Sequence, residues 1–117
     1  AVVALIGYSS YAPTKWACRG LADSLRTELC GFGVSVHIGY PPDTDTPGFV
    51  AENKSKPIEC KEFSELVGGA ANPPRTVARM MVDGVSQGLY HLPSPDWLQN
   101  RLVDTMAGVT PRNNAVL

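Results

Sequence analysis

Two residues of the chain have side chains whose types and spacing suit acid–base chemistry. Tyr11 and Lys15 stand four residues apart in the stretch SYAPTKWACRGLADSLRT, residues 10–27. On a helix, residues at this spacing lie one above the other on the same face. An ammonium about 4 Å from a phenol favours the phenolate by about 4 kcal/mol in a partly screened site. The pair therefore predicts a tyrosine that donates a proton to an oxygen gaining negative charge, as when hydride adds to a ketone.

The chain as a whole has the composition of an ordinary globular domain. It has 117 residues, a formal net charge of −1, 44% hydrophobic and 18% charged residues. A charge near zero without a basic run argues against nucleic acid as a partner. Cys18, Cys30 and Cys60 form no C-x-x-C pair, so we expect free thiols and neither a disulfide framework nor a zinc site. No apolar run reaches the roughly 20 residues that a membrane-spanning helix needs.

The tyrosine–lysine pair opens a predicted helix over residues 10–30. Ser9 or Ser10 is its candidate N-cap, and Gly31 is its candidate stop. Apolar residues recur at spacings of three and four, as one helix face requires, at Cys18, Leu21, Ala22, Leu25 and Leu29. The small residues Ala17 and Gly20 of the same helix are expected either to face the core or to contact a second copy of the chain, so a homo-oligomer is one expectation.

The helix is followed by a predicted strand and a proline-led loop. The β-branched run VSVHIGY, Val34–Tyr40, predicts a strand that stops at Pro41 and Pro42. The loop PPDTDTPGF then follows the carboxyl end of this strand, which is the edge where open α/β sheets bind ligands. Asp43 and Asp45 in this loop predict a turn, and no metal site is expected.

The remaining residues predict a mobile loop, a second helix and a short strand. Residues 49–71 are polar and glycine-rich, and we expect a substrate loop with one short helix there. A helix is predicted from Asn72 to about Gln87, with Gly88 as its stop. Its expected inward residues are Val77, Met80, Met81 and Val85.

The end of the chain has weaker signals. The run LYHL, residues 89–92, predicts a short strand, and residues 93–117 predict a weakly structured tail with helical periodicity over 96–109. Three further side chains are expected to pack and to take no part in catalysis, namely Trp16, His37 and His91.

Two of these sequence motifs resemble those of a known family. The run YAPTKWACRGLADSLRTEL followed by VSVHIGYPPDTDTPGF resembles the carboxyl-terminal half of the short-chain dehydrogenases/reductases, whose Y-x-x-x-K carries catalysis. Most of these enzymes have Pro-Gly where this chain has Pro41-Pro42. The run YPPDTDTPGF, with ENKSKP soon after it, is similar to the 3-ketodihydrosphingosine reductases of sphingolipid synthesis. The resemblance implies an α/β fold, a Rossmann-like doubly wound parallel sheet, of which residues 1–117 are the carboxyl-terminal half only.

The resemblance also implies a role for individual residues. Tyr11 is expected to be the catalytic acid/base, and Lys15 to assist it and hold the nicotinamide ribose hydroxyls. Pro41 is expected to end the strand beside the nicotinamide, with Thr46 at the carboxamide and Thr44 in the same neighbourhood. The implied cofactor is NADPH, and the implied substrate is a long-chain keto sphingoid base. The implied reaction is hydride transfer to the keto carbon.

Other parts of the family's machinery are expected outside this chain. The catalytic serine lies upstream of the tyrosine in the family, at a position before Ala1, and the glycine-rich nucleotide loop lies further upstream. Ser9 and Ser10 are too close to Tyr11 to replace that serine. We therefore expect a piece of a longer reductase that is inactive alone. Its parent is expected at the endoplasmic reticulum membrane, on the cytosolic face, held by apolar segments outside this chain.

Two other functions compete with this interpretation. One is a different lipid-directed short-chain reductase, acting on a steroid or retinoid carbonyl, and the D-T-D-T-P-G-F run argues against it. The other is a catalytically silent fragment that serves only as a binding scaffold. The intact Tyr11 and Lys15 pair argues against that second alternative.

Overall fold

A computed structural model describes residues 2–67 and 69–105 as a mixed α/β arrangement in which helices predominate. The elements in chain order are α1 (Ala12–Leu29), β1 (Ile38–Gly39), α2 (Pro47–Ser55), α3 (Ile58–Val67), α4 (Pro74–Ser86), β2 (His91–Leu92) and α5 (Trp97–Asp104). The two strands form a parallel sheet in which Ile38 is paired with His91 and Gly39 with Leu92. None of the helices in the described ranges is long and apolar enough to cross a membrane.

The start of α1 differs from the prediction, because Tyr11 itself occupies the N-cap position. The predicted capping by Ser9 or Ser10 is wrong, since the helix has no side-chain cap. A turn precedes it instead, in which the Tyr11 amide donates to the Tyr8 carbonyl at 3.1 Å. The Thr14 amide then donates to the Tyr11 carbonyl at 3.0 Å. Pro13, in the first turn, has no N–H that would need a partner. Tyr11 therefore stands at the point where the chain enters the helix.

The other end of α1 agrees with expectation, and its apolar face departs from it. The helix runs into a 3₁₀ turn at Cys30–Phe32, and the left-handed residue that ends it is Gly33, with φ of 69°. The α-helical part ends at Leu29 with Cys30 as its C-cap, so the predicted stop at Gly31 is confirmed for α1 itself. Leu21 is 60% exposed and Cys18 is also exposed, so neither side chain packs in the core formed by the described residues. The residue of α1 that is buried is Arg19.

The sheet is shorter than the sequence suggests. The predicted strand Val34–Tyr40 is reduced to two residues, because within the described residues β2 is the only strand that pairs with it. The predicted strand in LYHL is confirmed as β2. Gly39 lies close to Met81 of α4, since a Cβ at this glycine would stand 3.1 Å from the Met81 Cε. The lack of a side chain at Gly39 therefore lets α4 approach the sheet closely.

Residues 47–71 contain two helices, α2 and α3, where the sequence predicts a loop with one short helix. That prediction is wrong. We call residues 47–71 the excursion, and the two ends of this segment are held together. Thr44 and Asn72 form an isolated parallel bridge. The Asp45 amide donates to the Asn72 carbonyl at 2.9 Å, and the Asn72 amide donates to the Asp43 carbonyl at 2.8 Å. The two helices therefore leave and rejoin the body of the protein at neighbouring points.

The predicted helix after Asn72 is confirmed as α4, and Gly88 follows it with φ of 73°. Val77 is buried, and Met80 and Met81 are half-buried as predicted. The prediction for Val85 is wrong, because this side chain is 45% exposed. The end of α4 packs instead through Gly84, where a Cβ would stand 2.6 Å from the Pro93 Cδ.

The periodicity after Pro93 corresponds to α5. The Asp96 carboxylate caps this helix by accepting from the Leu98 amide at 2.9 Å and the Gln99 amide at 3.2 Å. Val103 of α5 and Tyr40, the residue after β1, are the buried centre of the core cluster, with Val2 and Ile38 packed against them. The part of the tail prediction that concerns residues 106–117 lies outside the described residues.

Candidate active site

The structure brings Tyr11, Lys15 and Pro41 to one cleft. The cleft has a volume of about 540 Å³ and lies between the start of α1, the end of β1 and α5. Its walls include Ile38 from β1 and Leu102 from α5. The two elements that the sequence predicts as a helix start and a strand end therefore meet, and the residues predicted to do chemistry stand at their junction.

Tyr11 and Lys15 are in direct contact. The Lys15 ammonium lies over the Tyr11 ring, 5.1 Å from its centroid, a distance at which a cation is attracted to an aromatic face. Tyr11 is half exposed, and the ring of Tyr8 meets it edge-on with centroids 5.6 Å apart. The hydroxyl of Tyr11 is thus free to meet a ligand in the cleft, beside a positive charge.

The two candidate threonines have other partners. The Thr44 hydroxyl donates to the Pro42 carbonyl at 2.7 Å. The Thr46 hydroxyl accepts from the Phe49 amide at 3.2 Å and so caps α2. Within the part of the chain that the structure describes, the lining of the cleft includes Pro41 but neither threonine. Their roles toward a nicotinamide carboxamide stay predictions.

Sequence reasoning missed the contribution of α5 to the cleft. Gln99 lines it, and its side-chain amide donates to the Tyr40 carbonyl. The signal that could have indicated this helix is Asp96, an N-cap residue just before a run with apolar residues spaced by four and five. His37 also lines the cleft, and its Nδ1 donates to the Leu89 carbonyl at 2.6 Å. His37 is therefore a half-buried, hydrogen-bonded histidine, as predicted.

The segment just before Tyr11 is fastened to α2 and α3 by three contacts. The Tyr8 hydroxyl donates to Glu52 Oε1 at 3.0 Å, and the Cys60 thiol donates to the Ile6 carbonyl at 2.9 Å. Gly7, with φ of 82°, lies against Pro57 so closely that a Cβ would stand 2.3 Å from the Pro57 Cγ. The excursion of residues 47–71 therefore packs beside the candidate site.

Burial raises the pKa of Tyr8 to about 12, and the hydrogen bond to Glu52 together with the charge of that carboxylate adds to the shift. Tyr8 is a protonated donor at neutral pH, engaged in a structural contact. Of the two neighbouring tyrosines, Tyr11 is the one whose ring contacts an ammonium.

Asp43 joins the loop after β1 to α3, which is a contact that the predicted turn does not include. Its carboxylate accepts from the Ser64 hydroxyl at 2.7 Å and lies 3.6 Å from the Lys56 ammonium. Among the described residues there is no group of three or more His, Cys, Asp or Glu side chains that could hold a metal ion. The three cysteines are free thiols, as predicted.

Several curated proteins are similar to this chain. A 3-dehydrosphinganine reductase of Danio rerio is 46% identical over 88 residues, which are 75% of this chain and 26% of that protein. A 3-ketodihydrosphingosine reductase of Dictyostelium discoideum is 46% identical over 91 residues, 78% of this chain and 27% of that protein. A 3-ketodihydrosphingosine reductase of Bos taurus is 40% identical over 108 residues, 91% of this chain and 32% of that protein. No family model and no solved structure matches the chain.

These relatives confirm the resemblance of the sequence motifs to the 3-ketodihydrosphingosine reductases. The chain is similar to oxidoreductases of the short-chain dehydrogenase/reductase type. More particularly, it is similar to the 3-ketodihydrosphingosine reductases over three quarters of its length or more. The chain spans about a quarter to a third of the length of these relatives.

Proposed function

We propose that the full-length protein reduces the keto group of a long-chain keto sphingoid base, 3-ketodihydrosphingosine, to the alcohol with NADPH. The observation that carries the proposal is the cleft at which Tyr11, its contacting ammonium from Lys15, and Pro41 meet. The similarity to relatives named 3-ketodihydrosphingosine reductase supports the choice of substrate. The two-stranded parallel sheet is consistent with a Rossmann-like fold, which we propose for the full-length protein.

The residues of the cleft fit the nicotinamide end of a dinucleotide. A flat, partly apolar ring needs an apolar wall, and Ile38 and Pro41 offer one. Ribose hydroxyls need polar partners, and Lys15 offers an ammonium with three donors. The volume of about 540 Å³ lies within the range of ordinary ligand sites. When bound, NADPH supplies the hydride for the reaction.

In the proposed reaction, residues of this chain donate the proton and stabilise the charge that remains. The Tyr11 hydroxyl donates its proton to the carbonyl oxygen of the substrate as negative charge develops there. The Lys15 ammonium stabilises the phenolate that this leaves behind. Hydride addition to the keto carbon and protonation of its oxygen together give the alcohol, so atoms and charge balance. Water then returns a proton to Tyr11.

The two helices α2 and α3 are proposed to form the wall that covers the alkyl chain of the substrate. Their contacts with Tyr8, Gly7 and Ile6 place them beside the residues that precede Tyr11. A segment of this length outside the sheet is typical of substrate loops. We also propose that the full-length protein acts at the cytosolic face of the endoplasmic reticulum membrane, on the basis of the resemblance to the family.

The proposal is tested by NADPH oxidation with the purified full-length protein and 3-ketodihydrosphingosine. Tyr11→Phe is expected to lower kcat by about 10²-fold or more, because it removes the general acid, while NADPH binding persists. Lys15→Ala is expected to lower kcat and weaken NADPH binding. Arg79→Ala, at an exposed cation of α4, is the control and is expected to match the wild type.

Two results would contradict the proposal. Turnover of a steroid or retinoid ketone without turnover of 3-ketodihydrosphingosine would assign the chain to another lipid-directed reductase. A folded wild-type protein that binds NADPH but turns over neither class of ketone would indicate a binding scaffold.

A further inference from the structure

Four side chains at intervals of four residues lie along one side of the helix that begins at the site. They are Tyr11, Lys15, Arg19 and Asp23, and residues at this spacing share a helix face. Tyr11 and Lys15 line the cleft, Arg19 is 6% exposed, and Asp23 is half-buried. The inward side of α1 therefore includes the polar residues Arg19 and Asp23 beside the half-buried apolar residues Ala22 and Leu25. The apolar residue Leu21 lies on its outer side.

The last member of this row makes a short hydrogen bond across the fold. The Tyr90 hydroxyl donates to Asp23 Oδ1 at 2.5 Å, and Tyr90 is 6% exposed. The Arg26 guanidinium lies 5.1 Å from the centroid of the same ring. Burial raises the pKa of Tyr90, and the hydrogen bond to Asp23 raises it further, so the hydroxyl stays a donor at neutral pH. α1 is thus joined to the residue just before β2.

Tyr90 is in turn connected to the wall of the cleft. Its ring meets the ring of His91 edge-on, with centroids 4.8 Å apart. His91 stacks against Tyr40 at 5.9 Å, and its Nδ1 is hydrogen-bonded to the Tyr40 hydroxyl at 3.3 Å. Tyr40 lines the cleft and directly precedes Pro41. A continuous set of contacts therefore runs from Asp23 on α1 to the sheet edge that Tyr11 and Lys15 face.

We propose that Tyr90 is a positioning residue for the reaction, because its bond to Asp23 sets the rotation of α1 and so holds Lys15 and Tyr11 at the cleft. The proposal rests on the proposed function. Asp23 lies eight residues from Lys15, which is about 12 Å along the helix axis and about 80° around it. A helix that turns about its axis moves both side chains together, so loss of the bond at Asp23 is felt at Lys15.

The test uses the full-length protein with Tyr90→Phe, which keeps the buried ring and removes the hydroxyl. We expect kcat to fall about tenfold with KM little changed, because one hydrogen bond to a charged group is lost away from the substrate. Asp23→Asn keeps an acceptor oxygen for Tyr90 and is expected to retain kcat within about threefold of the wild type. Asp23→Leu is expected to behave as Tyr90→Phe does. The double variant of Tyr90→Phe with Asp23→Leu is expected to be no worse than either single variant.

Val77→Ala is the control for stability, since Val77 is a buried apolar residue of α4 that is not one of the residues that line the cleft. It is expected to lower the thermal unfolding temperature while kcat, measured where the protein is folded, stays at the wild-type value. The proposal is overturned if Tyr90→Phe keeps its kcat, or if Val77→Ala loses as much kcat as Tyr90→Phe.

Hydrogen exchange of the α1 amides separates this proposal from the proposed function. Tyr90→Phe is expected to speed exchange in residues 16–29 more than Val77→Ala does, whether or not the protein turns over a ketone. A wild-type protein without ketone reduction would refute the proposed function. Equal exchange of α1 in the wild type and Tyr90→Phe would refute the positioning role.

Discussion

At the scale of single residues, some contacts of the candidate site join neighbours along the chain, and others join residues that are far apart in the sequence. Tyr11 and Lys15 are four residues apart, and the helix brings them into contact as their spacing predicts. Thr46 also makes a local contact, because its hydroxyl accepts from the Phe49 amide and it is the N-cap of α2. The contributions of Gln99 and Tyr90 could not be predicted, since both depend on contacts with residues far away in the sequence.

The raised pKa of Tyr8 predicts a dependence of stability on pH. Its value in the folded protein is about 12, above the ordinary value of 10.0, so the folded state holds this proton more tightly. The stabilisation is therefore fully present below about pH 10 and is lost as the pH rises through about 12. Thermal unfolding of the full-length protein between about pH 9 and about pH 12 measures this loss.

Tyr8→Phe tests whether Tyr8 causes this dependence of stability on pH. It is expected to unfold at a temperature that falls less steeply with pH over the same interval, because the group that releases its proton on unfolding is gone. Parallel curves of unfolding temperature against pH for the wild type and Tyr8→Phe would show that Tyr8 does not cause the pH dependence.

At the scale of elements, the helices with strong sequence signals were predicted and those without them were missed. α4 begins at a pair of prolines and is followed by Gly88, and its bounds are close to the predicted ones. α2 has no buried residue, so no apolar periodicity marks it. The inward side of α1 carries Arg19 and Asp23, which a search for an apolar face does not consider.

Gly7 allows a close approach between the segment before α1 and the excursion of residues 47–71. Gly7→Ala is expected to lower the free energy of unfolding by about 2 to 4 kcal/mol, because it adds left-handed strain and a clash with Pro57. Gly33→Ala is the matched control, since Gly33 has a similar φ but open space around it. It is expected to cost about 1 kcal/mol, from the strain alone. Denaturant unfolding of the full-length protein measures both, and equal losses would refute the contact.

Pro57 also gives a test of the proposed role of α2 and α3 in covering the substrate. Pro57→Ser loosens the contact with Gly7, so we expect KM to rise for a long-chain keto sphingoid base and to change little for a short-chain ketone. Val82→Ala, at an exposed apolar residue of α4 outside the proposed wall, is the control and is expected to leave both KM values unchanged. Equal kinetics of Pro57→Ser and the wild type would show that this segment does not act on the alkyl chain.

At the scale of the whole molecule, few side chains of the described residues are fully withdrawn from water. The buried apolar residues are Tyr40, Cys60, Val77, Tyr90 and Val103, while Phe32 and Leu66 are about four-fifths exposed. Small cores give marginal stability. The mixed α/β character could be predicted because helix, turn and strand follow one another in order. The extent of the sheet could not, because it depends on which strands pair.

The small number of buried apolar residues and the exposure of others predict how residues 1–117 behave as an isolated chain. We expect thermal unfolding without a sharp cooperative transition and binding of a hydrophobic dye at low temperature, because apolar surface is exposed. The full-length protein measured under the same conditions is the reference and is expected to unfold cooperatively. A sharp transition of the isolated chain, without dye binding, would contradict the prediction.

The bridge between Thr44 and Asn72 has a consequence for how such a protein changes over evolution. Because it brings the two ends of the excursion together, the entropy needed to close that segment grows only slowly with its length. Insertions and deletions in the exposed stretches between Thr46 and Ala71 are therefore expected to cost the sheet little, provided that Glu52, Pro57 and Cys60 keep their contacts with the segment before Tyr11. Selection can reshape what the excursion recognises while the reacting groups stay where they are.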